Sequence, residues 1–257
     1  MPRFAANLSL MFTELAFLDR FEAAAGAGFT AVEYHFPYAY SVHDLTQRLA
    51  AFGLEQVLFN GPPGDFVAAG ERGLAALPGR EAEFERSLSS ALEYATALRC
   101  PRIHIMAGLT HQGATRPTFV RNMRAAARVA ATCNVELLIE PINTRDIPGY
   151  LINRTSEALA MIALIGEPNV GLQLDLYHRQ IMEGDLIAAV QEFGGYAAHI
   201  QIAQPPDRGE PDRGEIDYRS IFEALDAVGY TGWVGCEYSP RGATVAGLAW
   251  MKTLVTR

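Results

Sequence analysis

Short apolar runs alternate with longer amphipathic stretches along the whole chain. A brief apolar run bounded by turn residues reads as a buried strand, whereas apolar positions recurring at i, i+3 and i+4 read as a helix face. On that reading, strands are expected near residues 4–10, 31–36, 56–60, 102–107, 135–139, 170–174, 198–202 and 233–236. Helices are expected over 14–27, 42–52, 81–98, 118–132, 156–165, 185–193 and 218–228, with a short closing helix over 244–254. Gly28 and Gly53 follow the first two helices, where glycine supplies the left-handed turn that ends a helix. Residues 61–79, rich in Gly and Pro, form an unusually long connection, and such connections are often functional.

Eight strand–helix units follow one another without a break in rhythm. Regular alternation implies a parallel sheet with crossover helices, and eight units imply closure into a single (β/α)8 TIM barrel. An open doubly wound sheet is the competing arrangement. No strand is followed by a G-x-G-x-x-G or G-x-x-x-x-G-K-[ST] loop, which counts against a dinucleotide or nucleotide fold. The length of 257 residues suits one barrel, and neither a linker nor a repeat divides it, so one domain over 1–257 is expected.

Composition narrows the picture further. The chain is 49% hydrophobic, enough for a large core, and carries a net charge of −8. That charge disfavours nonspecific nucleic-acid binding but leaves room for a local basic site that takes a small anion. Cys100, Cys133 and Cys236 are too few and too scattered for a disulfide framework or a zinc motif, which fits a reducing compartment. The first ten residues are too polar for a signal peptide, and no apolar run of about 18 residues occurs. These features together point to a cytoplasmic protein without a membrane span.

In such a barrel the chemistry sits at the C-terminal ends of the strands. The last four strands end in Ile139-Glu140, Leu174-Asp175, Gln201-Ile202 and Cys236-Glu237. Because strand side chains alternate, Gln173 shares a face with Asp175, and His199 with Gln201, while the intervening leucines and isoleucines face the helices. The same parity turns Glu140 and Glu237 inward. Three carboxylates converging where the dielectric is low repel one another unless a cation neutralises them. Their oxygen-rich donor set suits Mg²⁺ or Mn²⁺ better than Zn²⁺. A lone strand-end glutamate is usually a salt-bridge partner; four matching strand ends in succession are harder to explain that way. His199, one layer deeper, reads as a satisfied core histidine, and His104 and Glu33 as pocket-lining or network residues. Phe36 and Trp233 read as hydrophobic walls.

At these residues the chain resembles the hydroxypyruvate isomerase family, within the xylose-isomerase-like (β/α)8 superfamily. The likeness spans nearly the whole sequence. It runs from Phe4-Ala5-Ala6-Asn7-Leu8-Ser9 through Gly70-Glu71-Arg72-Gly73 and Pro78-Gly79-Arg80-Glu81. It continues in Ile139-Glu140-Pro141-Ile142-Asn143, Asp146-Ile147-Pro148-Gly149 and Asp175-Leu176-Tyr177-His178. Arg208-Gly209-Glu210-Pro211 and Gly232-Trp233-Val234-Gly235-Cys236-Glu237-Tyr238 complete it. The resemblance implies metal-assisted isomerisation of a small hydroxy or oxo acid, with Glu140 and Glu237 as catalytic glutamates. It implies Glu140, Asp175, Gln201 and Glu237 as metal ligands, related ketose 3-epimerases having His in place of Gln201. His178 and Arg208 match residues that hold substrate oxygens there. One departure stands out: Gln204-Pro205 replace the acidic or amide residue and the Asn or Ser that usually precede Pro206.

The expected reaction interconverts hydroxypyruvate and tartronate semialdehyde through an enediolate. A guanidinium grips a carboxylate in two places, so Arg208 is the first candidate clamp for the substrate carboxylate and Arg72 the second. Asn7 and Asn60, ending the first and third strands, are candidate pocket amides. The same site would serve a 2-oxotetronate isomerase or a ketose 3-epimerase, which pocket length would separate. A noncatalytic sugar-acid binding protein is the reading from another class, disfavoured by the glutamate pair. DNA repair by an AP endonuclease of this barrel type would need a histidine-rich, multi-metal site and a basic face, unlike six scattered histidines on an acidic chain. Dimers and tetramers are common among such barrels, and the sequence leaves a homo-oligomer open.

Overall fold

The computed structural model describes residues 2–255. Its eight parallel strands are β1 (Arg3–Asn7), β2 (Ala31–Tyr34), β3 (Glu55–Asn60), β4 (Arg102–His104), β5 (Glu136–Ile139), β6 (Val170–Asp175), β7 (His199–Ile202) and β8 (Trp233–Cys236). They hydrogen-bond in chain order, and β8 pairs with β1, so the sheet closes as a (β/α)8 barrel. The helices are α1 (Arg20–Gly26), α2 (Val42–Phe52), α3 (Glu81–Leu98), α4 (Arg116–Ala131), α5 (Thr155–Ile165), α6 (Leu176–Met182), α7 (Leu186–Ala189), α8 (Tyr218–Ala227), α9 (Thr244–Gly247) and α10 (Ala249–Val255). Among the described residues, no helix is long and apolar enough to cross a membrane.

The strands are buried on both faces because the barrel interior and the helix layer both exclude water. Ala5, Ala6, Val32, Val57, Ile103, Leu137, Leu138, Ile200 and Val234 are fully buried. Packing divides the chain into two compact units. One comprises Met1–Tyr34, His43–Val57 and Leu174–Arg257; the other comprises His35–Val42 and Leu58–Gln173. The division falls within β3 and β6.

Several element ends differ from the sequence pattern, each for a local reason. The first strand stops at Asn7, because the Asn7 side chain accepts from Ser9 N–H and its carbonyl from Met11 N–H, turning the chain. A helix expected from residue 14 therefore starts only at Arg20, after a short 3₁₀ turn over Phe17–Asp19. The fourth helix starts at Arg116 because Thr115 caps it and Pro117 suits its first turn. A helix that the pattern did not suggest, α6, follows β6 directly. Asp175 caps it by accepting from Tyr177 N–H at 2.7 Å. The stretch expected as one helix over 185–193 is a single α-turn, α7, that passes into a π-helical turn over Val190–Gly194.

The long connection after β3 is ordered by its own side chains and by close backbone approach. Glu71 pairs with Arg80, which also donates to Glu83 at 2.6 and 2.7 Å, so the Gly70–Gly73 and Pro78–Glu81 motifs are two halves of one clasp. Gly73 has φ +122° and lies against the Met106 carbonyl, leaving no room for a Cβ. Gly73→Ala is therefore expected to cost on the order of 2 kcal/mol and to lower Tm by roughly 5 °C or more. Calorimetry of the purified variant checks this; an unchanged Tm would show that the loop accommodates the methyl group.

Candidate active site

In the first unit, the ends of β6, β7 and β8 carry a buried polar cluster. Asp175 closes β6 and is 2% exposed. Its Oδ1 accepts the capping bonds of α6, while its Oδ2 has no hydrogen-bond partner among the described residues. His178, on the first turn of α6, places Nε2 3.6 Å from that oxygen. Glu237 directly follows β8 and is also buried. Arg208, from the loop after β7, donates from Nη2 to Glu237 Oε2 at 2.8 Å and lies 3.7 Å from Asp175 Oδ2. Its guanidinium stands 5.0 Å from the centre of the Tyr177 ring. Burial, and then the negative charge of Glu237, push the Asp175 carboxyl up to about 8, against the pull of Arg208. At neutral pH a carboxyl in that state favours its protonated form.

Gln201 sits on β7 with its side chain inward, as the alternation requires. Its Nε2 donates to Glu33 Oε1 at 2.8 Å. His199, two residues earlier and on the same face, places Nε2 2.6 Å from Glu33 Oε2. Asn7 also donates to Glu33 Oε1, at 3.0 Å. Asn7, expected as a pocket amide, is thus engaged from below by the Glu33 carboxylate and by the turn after β1. Gly235 on β8 faces the same carboxylate, since a Cβ there would fall on it. That contact fixes the parity of β8: Gly235 inward, Cys236 outward, Glu237 inward.

The loop that carries Arg208 is built by residues the sequence reading passed over. Gln204, the departure from the family pattern, is fully buried. Its amide donates to Ile216 O at 2.7 Å and accepts from Ile216 N–H at 3.0 Å, and its backbone pairs with Gly209. It closes the loop instead of facing a ligand. Arg241, after β8, donates to Asp207 at 2.7 Å, Glu210 at 3.2 Å and Asp212 at 2.8 Å. Arg208 itself adopts φ +52°, and its carbonyl accepts from Ser239 N–H. The sequence trace of this clamp was three acids, Asp207, Glu210 and Asp212, with Arg241 about thirty residues on.

In the second unit, Glu140 follows β5 and is 5% exposed. Its Oε2 lies 3.4 Å from His104 Nδ1 on β4. Tyr150 is buried nearby and accepts from Ala107 N–H; burial above all, with a further push from Glu140, keeps its hydroxyl protonated. Asn143 and Asp146 exchange two hydrogen bonds that brace the loop behind Glu140. Arg72 is held by its own loop, donating to the Phe66 and Glu71 carbonyls with its guanidinium 3.7 Å from the Phe66 ring centre. Asn60 ends β3, and its carbonyl accepts from the Tyr38 hydroxyl.

The chain resembles known proteins over its full length. A family model described as a xylose isomerase-like TIM barrel matches residues 21–254. A 2-oxo-tetronate isomerase of Cupriavidus necator is 52% identical, covering 100% of both chains. The hydroxypyruvate isomerase of Escherichia coli is 46% identical, covering 98% of both. Among solved structures, one described as AP endonuclease, family 2, from Brucella melitensis is 51% identical with a TM-score of 0.95, covering 98% of this chain and 99% of that one.

Charge-assisted hydrogen bonds from one arginine hold the loop after β7 closed, and each such bond typically contributes about 1.5–3 kcal/mol. Arg241→Ala should therefore speed amide exchange at Gly209 and Ile216 by about tenfold or more. Strand amides serve as the internal reference. Equal protection in the variant would show that Gln204 alone orders the loop.

Proposed function

Since the chain belongs to the xylose isomerase-like TIM-barrel family, we propose that it is an isomerase that moves a proton between adjacent carbons of a short 2-oxo acid. Its substrate is hydroxypyruvate and its product tartronate semialdehyde (2-hydroxy-3-oxopropanoate). The observation that carries this reading is the pairing of two buried carboxylates, Asp175 and Glu237, with one arginine at the strand ends. A second reading, 2-oxotetronate as substrate, is favoured by the 52% identical relative of that name.

The reading assigns a divalent cation, Mg²⁺ or Mn²⁺, to Glu140, Asp175, Gln201 and Glu237. The residues fit such an ion: Glu140, Asp175 and Glu237 are buried oxygen donors, Asp175 Oδ2 has no hydrogen-bond partner among the described residues, and Gln201 turns its Nε2 toward Glu33. The ion would supply Lewis-acid stabilisation of the charge that develops on the substrate oxygens. The protein's own groups do the rest. One glutamate, Glu140 or Glu237, takes a proton from C3 of hydroxypyruvate, and the same or the other glutamate returns a proton to C2. Loss of the C3 hydroxyl proton and gain of one at the C2 oxygen complete the exchange. His178 holds a substrate oxygen. Arg208 grips the substrate carboxylate, trading its contact with Glu237 for it. Burial of the site keeps water from competing for these groups.

We place this enzyme in the cytoplasm, in line with three free cysteines. A net charge of −8 speaks against a DNA substrate.

Glu140→Gln and Glu237→Gln should each lower kcat by about two to four orders of magnitude while the protein stays folded by circular dichroism. Arg208→Ala should act mainly on KM. The assay compares hydroxypyruvate with 2-oxotetronate and a ketose. Near-wild-type turnover in both glutamate variants would remove them from the proton transfer.

A further inference from the structure

Glu33 meets three polar side chains in the first unit, yet no step of the reaction uses it. It sits on β2, 1% exposed, and accepts from Gln201 at 2.8 Å and from Asn7 at 3.0 Å, with His199 Nε2 at 2.6 Å. We propose that Glu33 is a positioning residue that fixes which end of the Gln201 amide faces the ligand. This deepens the metal reading given above and rests on it.

The two ends of a primary amide are nearly equal in shape and opposite in chemistry. The oxygen is a hard ligand; the NH₂ is a donor that repels a cation. Left alone, a buried glutamine at a strand end could present either. A carboxylate offers acceptors only, so it draws the NH₂ inward and turns the oxygen out. The neighbours remove the alternatives. Asn7 Oδ1 is occupied by Ser9 N–H, so Asn7 meets Glu33 through its own NH₂. Glycine at 235 leaves the space that the carboxylate fills. A carboxylate buried this deeply is tolerable only with its oxygens hydrogen-bonded, and this one has donors on both. Glutamine at position 33 would keep the shape but put an NH₂ where one of those donors points. Gln201 would then turn over to offer its oxygen inward, and its NH₂ would face the cation.

The test is titration calorimetry of Mn²⁺ into wild type, Glu33→Gln, Gln201→Ala and the double variant. Thermal unfolding of the metal-free proteins is measured alongside. Glu33→Gln is expected to weaken Mn²⁺ by about 10- to 100-fold, the range typical of lost outer-shell support. The double variant should bind no more weakly than Gln201→Ala alone, because Glu33 acts through Gln201. Losses that multiply in the double variant would overturn the proposal, as would wild-type affinity in Glu33→Gln.

Gln201→His covers the case in which Glu33→Gln fails to fold. Its ring keeps one N–H toward Glu33 and turns a nitrogen outward, so affinity should shift from Mn²⁺ toward Co²⁺. Loss of both metals to the level of Gln201→Ala would overturn the proposal. A wild-type protein that binds neither Mn²⁺ nor Mg²⁺ would sink the metal reading itself, whereas a normal wild type beside an unaffected Glu33→Gln sinks only the role of Glu33.

Discussion

The burial of Asp175 beside Glu237 is the constraint around which the first unit is organised. Two carboxylates out of water and close to one another are costly unless positive charge meets them. The fold answers in steps. Asp175 spends one oxygen on the N-terminus of α6, where backbone N–H groups and the helix dipole favour negative charge. Arg208 reaches Glu237 and leans toward the other Asp175 oxygen. To deliver that arginine, the chain after β7 is closed by Gln204 and clamped by Arg241 onto three acidic side chains.

Beneath this cluster lies a second polar layer. Glu33, His199 and Asn7 form a buried hydrogen-bonded network, and Gln201 joins it from the same face of β7 as His199. The network restricts the rotation of the Gln201 amide through its bond to Glu33. In the second unit the same economy appears in the loops. The Glu71–Arg80–Glu83 clasp and the Asn143–Asp146 pair order the long connections after β3 and β5.

The barrel was legible in the sequence because burial on both strand faces leaves uninterrupted apolar runs, and because the strand–helix rhythm never fails. The inward parity of β8 was legible because side chains alternate with period two, and Gly235 lies against Glu33 as that parity requires. The loops were not. Gln204 read as a departure that affects ligand contacts, whereas its amide pairs with a backbone segment twelve residues away, which no local pattern encodes. Arg241 and Asp207 are likewise joined by loop geometry across 34 positions. Helix α6 escaped because seven residues are too few for a clear periodicity; its signal was the single capping aspartate. Asn7 and Arg72 read as candidates facing a ligand; the Asn7 amide donates to Glu33, and Arg72 Nη1 donates to the carbonyls of Phe66 and Glu71.

The raised Asp175 carboxyl links the constraint to a measurable quantity. Its folded value of about 8 lies above the ordinary 3.8. The metal-free fold therefore favours the protonated acid, and this contribution is complete below about pH 4 and fades as pH rises toward 8. A divalent cation bound there, as proposed, would have to displace that proton. The most direct measurement is titration of Mn²⁺ into metal-free protein at pH 7, repeated in buffers of different ionisation enthalpy to count the protons released. The account predicts about one proton released per ion bound, falling toward zero well above pH 8. Binding with no proton release at pH 7, or no binding, would contradict it.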